Sequence, residues 1–169
     1  TIYFASGGFG ALAGLDGAET TPGPSNMAVV PVEVWETLTS TTVEKKYLLP
    51  DSAGAGASRG GLGQEVVIRN DSGHLMTVFC MANRTDFPPL GLLGGGAGQL
   101  RQHRVNDVTV DPKGSYELAP GDRITMVEAG GGGYGDPAGR SRAAIEADLA
   151  EGFITPEGAA RDYGVDLDE

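Results

Sequence analysis

Apolar and β-branched positions along this chain come in short blocks, each closed by a turn signal. Residues 26–35 (NMAVVPVEVW) are β-branched and interrupted only by Pro31, which predicts an edge strand, or a strand start, after the turn-rich 20–26 stretch. Residues 41–49 predict a second strand, stopped by Pro50-Asp51. Residues 64–70 (QEVVIRN) and 74–82 flank Asp71-Ser72-Gly73, and that spacing predicts a hairpin of neighbouring antiparallel strands. Residues 108–111 and 115–118, around Pro112-Lys113-Gly114, predict a second hairpin, and 123–128 (RITMVE) a further strand after Pro120-Gly121-Asp122.

Near the C-terminus the period changes from two to nearly four. Ser141 is a good N-cap, Ile145 and Leu149 share a face, and Gly152 suits the end, which predicts a helix over 141–151. Thr155 caps a second helix, Pro156 occupies its first turn, and Gly164 stops it. Strands first and helices last predict an α+β fold: a β-rich antiparallel body over residues 1–137 with Gly-rich loops, and a C-terminal pair of short helices in a tail, 138–169, packed on it.

Glycine changes this picture most. There are 28 among 169 residues, and twenty of them fall in four runs, at 7–17, 54–63, 91–98 and 130–135. They keep no three-residue period, which excludes collagen, and their bunching argues against simple low complexity. The run at 87–98 (FPPLGLLGGGAG) is too irregular for strand or helix and too apolar for a solvent loop, so it should be ordered and packed on something. Leu, Ile, Val and Phe make up only 37 residues, so the core is thin, and the runs are expected where the chain meets the remainder of a larger body. Net charge is −11 with three lysines, so no basic face exists for nucleic acid. No membrane span or signal peptide is visible, and the single cysteine, Cys80, excludes an internal disulfide and suits a reducing, cytoplasmic compartment.

Candidate chemistry is sparse. No Walker-type or dinucleotide-type spacing occurs among the glycines, which favours tight turns or close backbone packing over nucleotide binding. His74, His103 and Cys80 cannot make a Cys/His metal site, so no metal site is expected within the chain, although one ligand to a shared site remains open. Arg59, Arg84 and Arg101 each adjoin a glycine run, where a guanidinium either orients a substrate carboxylate or ties down exposed carbonyls. Arg59 and Arg84 are the substrate-binding candidates. Asp16 and Asp51 are either general bases or turn residues, and Cys80, mid-strand, is a small buried hydrophobe. Thr1 could serve as an N-terminal nucleophile, but nothing nearby supports it; a removed methionine or a cut chain is the simpler reading.

Five segments, in order, carry a resemblance: PVEVWE (31–36), YLLPDSAGAGASRGGLG (47–63), RTDFPPLGLLGGGAG (84–98), LAPGDRITMVEAGGGGYGDP (118–137) and GFITPEGAARDYGV (152–165). They resemble the carboxy-terminal part of the hydantoinase B/oxoprolinase family, the B-type subunit of ATP-dependent cyclic-amide hydrolases. The run SGGFGALAGLDG (6–17) looks like the family's preceding Gly-rich segment; the chain departs at Leu90, where the family commonly has tryptophan, and near Gly96, where it has lysine. The resemblance implies that an A-type partner binds ATP and phosphorylates the amide or lactam carbonyl, while the B-type subunit completes ring opening. Its relatives, the acetone and acetophenone carboxylases, imply an alternative ketone carboxylation; a third reading is a non-catalytic assembly element. Implied partners are the remainder of the B-type subunit and the A-type subunit, in a hetero-oligomer without which this chain is not active. ATP would sit in the A-type partner and a divalent metal, on Asp and His ligands, in the part of the B-type subunit absent here, so no cofactor is expected on this chain alone.

Overall fold

The computed structural model describes residues 1–22 and 30–165. Its body is a five-stranded antiparallel sheet built from β1 (Thr41–Leu48), β2 (Gln64–Asn70), β4 (Gln102–Val105), β5 (Val108–Val110) and β7 (Arg123–Val127), in the order β1-β2-β7-β4-β5. A separate two-stranded sheet pairs β3 (Met76–Phe79) with β6 (Ser115–Leu118). Three helices, α1 (Val32–Thr39), α2 (Arg142–Ala150) and α3 (Pro156–Tyr163), complete an α+β fold.

Alternation in β2 and β7 sorts the sheet's two faces. Val66, Ile68, Ile124 and Met126 point inward and join Trp35, Cys80 and Leu118 in the main core. Outward, charges are laddered: Glu44, freed from pairing by the irregularity between Val43 and Lys45, bridges Arg69 (2.6 Å) and Arg123 (2.7 Å), and Glu65 meets Arg104 (2.7 Å).

The expected strand at 26–35 is overturned where it is described: the chain is helical from Val32, while positions 26–29 lie outside the described residues. Pro31 fixes φ at the helix entry, and the helix is decided by docking rather than propensity. Trp35 is buried, stacks edge-on against Tyr3 at 4.9 Å and donates from its indole N–H to Thr41 (3.0 Å); the Glu36 carboxylate accepts from the Val43 N–H (2.7 Å).

Neither expected hairpin forms. β7 occupies the side of β2 that β3 would have taken, and Asn70 diverts the chain: its amide donates to the carbonyls of His74 (2.9 Å) and Leu118 (2.8 Å), steering β3 to β6. β5 pairs back onto β4 instead, through Asn106-Asp107 at φ 46° and 66°, the left-handed pair a two-residue turn requires.

The glycine runs meet one another, which the sequence did not predict. Residues 130–133 are buried and run through the middle, with the segments at 8–11, 54–61 and 91–98 around them. Ala11 N–H reaches the Gly132 carbonyl (2.9 Å), Gly54 N–H that of Gly131 (2.8 Å), Gly131 N–H that of Gly61 (2.8 Å), and Gly133 N–H that of Gly96 (2.9 Å). Backbones approach so closely that a Cβ on Gly131 would overlap the Phe9 carbonyl and one on Gly60 the Gly131 carbonyl. The 87–98 segment is thus an ordered loop packed on the other runs, as its composition suggests.

The two C-terminal helices stand as read, with Ser141 accepting from Ala144 N–H (3.2 Å), Thr155 accepting from Gly158 N–H (3.0 Å), and Gly164 at φ 66° closing α3. Ile145, Ile154 and Ala159 form their small core.

Candidate functional site

The sequence candidates separate in space. Arg59 is 3% exposed and engaged internally: Nη2 meets Glu19 (2.9 Å), Nε meets Asp148 (3.3 Å), Nη1 donates to the Gly60 carbonyl (2.5 Å), and the guanidinium lies 5.0 Å over the Phe153 ring. Buried Arg140 completes this network by clasping Asp16 with both terminal nitrogens (2.8 Å each) and reaching Asp148 (2.6 Å). Asp16 also accepts from the Arg59 N–H (2.6 Å), so Asp16 ties the N-terminal segment to a glycine run and to α2. Asp51 anchors α3 by accepting from the N–H (2.9 Å) and hydroxyl (2.6 Å) of Thr155. Both aspartates are structural, Cys80 is a core residue, and His74 lies on an exposed turn.

Arg84 and Arg101 come together instead. They line a cavity of about 460 Å³ between the first glycine run and the 83–89 segment, with Phe4, Gly7, Gly8 and Asn83 in its wall and Glu128 among its lining groups. The N–H of Arg101 donates to the carbonyl of Arg84 (2.9 Å), which fixes the two segments to each other. Arg84 holds a left-handed backbone, φ 63°, which is uncommon for a non-glycine residue and concentrates at functional sites. Its side chain is exposed and makes no ion pair, and it alone among the nine arginines lacks a carboxylate partner among the described residues.

Glu128 was missed by sequence reasoning. It follows β7 directly, where the strand enters the 130–133 run, and it is only 2% exposed. Its Oε1 lies 2.7 Å from Nη2 of Arg101 but out of line for a hydrogen bond. Burial pushes the Glu128 carboxyl up to about 7, against the opposing pull of Arg101. Arg101 also donates from Nε to Nε2 of His103 (3.3 Å), a 2% exposed β4 residue whose Nδ1 has no hydrogen-bond partner. Burial, and then the positive charge of Arg101, lower His103 to about 4, so it stays neutral. The result is a buried carboxyl raised toward neutral pH, ion-paired with Arg101 and on the same cavity as the unpaired Arg84. One signal was available: a lone Glu after an apolar strand, before a run of glycines that offers it no cover.

This set does not suit a metal. Arg101 stands between Glu128 and His103, and among the described residues no three His, Cys, Asp or Glu side chains gather into a coordinating group. A second depression of about 570 Å³ shares Arg101 and also carries Asp111, with Lys113 and Asp86 facing each other at 3.7 Å. No helix among the described residues is long and apolar enough to cross a membrane.

A family model for hydantoinase B/oxoprolinase matches residues 1–137, the stretch that contains the whole cavity. The chain belongs to the hydantoinase B/oxoprolinase family. Among its hydantoinase B relatives, the caprolactamase subunit beta of Pseudomonas jessenii is 33% identical over 146 residues, which is 81% of this chain and 25% of that protein. The crystal structure of the ATP-dependent caprolactamase from the same organism superposes with a TM-score of 0.79 at 26% identity, over 96% of this chain and 30% of that one. A nucleotide-free acetone carboxylase structure also reaches 0.79, at 21% identity over 95% of this chain and 26% of its own, a likeness of fold alone. The chain therefore spans about a quarter of the length of the caprolactamase subunit it matches.

Proposed function

We propose that this chain forms part of the B-type subunit of an ATP-dependent cyclic-amide hydrolase, and that the Arg84–Arg101–Glu128 cavity contacts the molecule being opened. The supporting observation is the family match over 1–137 together with superposition on the caprolactamase over nearly the whole chain. In this reading an A-type partner uses ATP to activate the amide carbonyl, and a divalent metal is held in the remainder of the B-type subunit. Opening a cyclic amide leaves a ring nitrogen that needs a proton. Glu128, whose carboxyl burial pushes up to about 7, is suited to exchange one with it, and Arg101 holds the carboxyl in place.

The test is to assemble the chain with the remainder of its subunit and the ATP-binding partner, and to assay ATP hydrolysis with a panel of lactams and hydantoins. The expected result is ring-opened amino acid formed only in the full complex, with none from the chain alone. Labelled bicarbonate entering acetone or an aryl ketone, without ring-opened product, would replace this reading by the carboxylase one.

A further inference from the structure

Two side chains of opposite charge line this cavity, one without an ion-pair partner among the described residues and one with a carboxylate oxygen that accepts no hydrogen bond. Arg84 carries a guanidinium with no anionic partner among the described residues of a chain of net charge −11, where the other eight arginines all find one. In so acidic a chain, an arginine held on a left-handed backbone and left unpaired is complementary to an anion from outside. Glu128 presents the reverse demand. It is buried at 2% exposure on the same cavity and is ion-paired with Arg101 at 2.7 Å, yet its Oε1 accepts no hydrogen bond, and Arg101 donates from Nε to His103. A buried carboxylate oxygen that accepts no hydrogen bond favours a strong N–H donor, such as an ammonium, brought in by a ligand.

We propose that this cavity binds a small zwitterionic amino acid, with the ligand carboxylate on Arg84 and the ligand ammonium on Glu128. At about 460 Å³ the cavity suits a small molecule, and the exposed ring of Phe4 offers an apolar wall for the carbon chain between the two charges. The identity of the ligand as reaction product rests on the cyclic-amide reading, because hydrolysis of a lactam yields an amine and a carboxylate on one chain. The cavity's demand for both charges stands on the geometry alone.

Isothermal titration of the assembled complex with ω-amino acids, from glycine to aminohexanoate, tests this, with the methyl ester and N-acetyl derivative of the tightest binder as controls. The expected result is binding of at least one zwitterion, with each derivative weaker by about tenfold or more. Arg84→Gln should bring the free acid down to the level of its ester, and Arg84→Lys should restore part of the difference. Because Arg84 is exposed, its variants test the site without disturbing the core. Equal affinity for zwitterion, ester and acetyl derivative, or no binding by any member at about 10 mM, overturns the proposal. Lactam-dependent ATP hydrolysis in the same preparation separates the two readings. Turnover without amino acid binding sinks the site and spares the hydrolase assignment; binding without turnover does the reverse.

Discussion

At the scale of single residues, Glu128 and His103 set opposite pH dependences. The Glu128 carboxyl is raised from an ordinary 4.5 to about 7, so the folded state holds the proton more tightly, and stability falls as pH rises between those values. His103 is lowered from 6.5 to about 4, so the unfolded chain takes up the proton first, and stability rises with pH over that window. The two slopes oppose each other between about 4.5 and 6.5. Denaturant titrations across that range should show a nearly flat stability for the parent and a clear rise with pH for Glu128→Gln. A flat Glu128→Gln profile would show that Glu128 does not titrate there. The Arg140 network makes a second residue-scale prediction. Arg140→Ala leaves buried Asp148 with only its 3.3 Å contact to Arg59 and strips Asp16 of its bidentate partner. An expected loss of about 3–5 kcal/mol is readable as a shift of the denaturation midpoint at constant slope.

At the scale of elements, the glycine runs act as backbone packing units. Gly131→Ala drives a Cβ into the Phe9 carbonyl and should cost about 3 kcal/mol or more, because neither backbone can move away from the buried 130–133 run. Gly14→Ala is the matched control: it sits at φ 71° with open space around it, and should cost about 1 kcal/mol. Comparable thermal shifts for the two would contradict the packing account. This scale also shows what the sequence could reveal. Ser141, Thr155 and Gly164 mark the C-terminal helices because capping is a local interaction, and β1, β2 and β7 are legible from alternation. Strand partners were not legible, since β3 pairs with β6, more than 30 residues on, and the Asn70 side chain that helps direct it there lies 48 residues from the Leu118 carbonyl it holds. The helix at Val32–Thr39 was hidden for a similar reason: β-branched residues and Pro31 describe the local preference, while burial of Trp35 decides the outcome. Half of the site was legible. Arg84 and Arg101 stand out beside glycine runs, but nothing local distinguishes Arg59, locked in an internal network, from Arg84, left open.

At the scale of the whole molecule, two loop tips expose leucines: Leu12 and Leu15 on one, and Leu90, Leu92 and Leu93 on the other. Both tips hang on the central glycine run, through Ala11 N–H to the Gly132 carbonyl and Leu92 N–H to the Gly133 carbonyl. On the proposed reading, in which this chain is part of a larger B-type subunit, these exposed leucines fit burial against the remainder of that subunit. Replacing Leu92 and Leu93 by serine should reduce co-purification with that remainder while leaving the chain's own circular dichroism unchanged. Unchanged co-purification would remove these tips from the interface. The central claim is that Glu128 serves a ring-opening reaction, and the pH profile of kcat for lactam-dependent ATP hydrolysis by the assembled complex tests it most directly. The account predicts a step with its midpoint near 7 in the parent that disappears in Glu128→Gln, with turnover at least about tenfold lower. Superimposable profiles and equal turnover for the two proteins would contradict it.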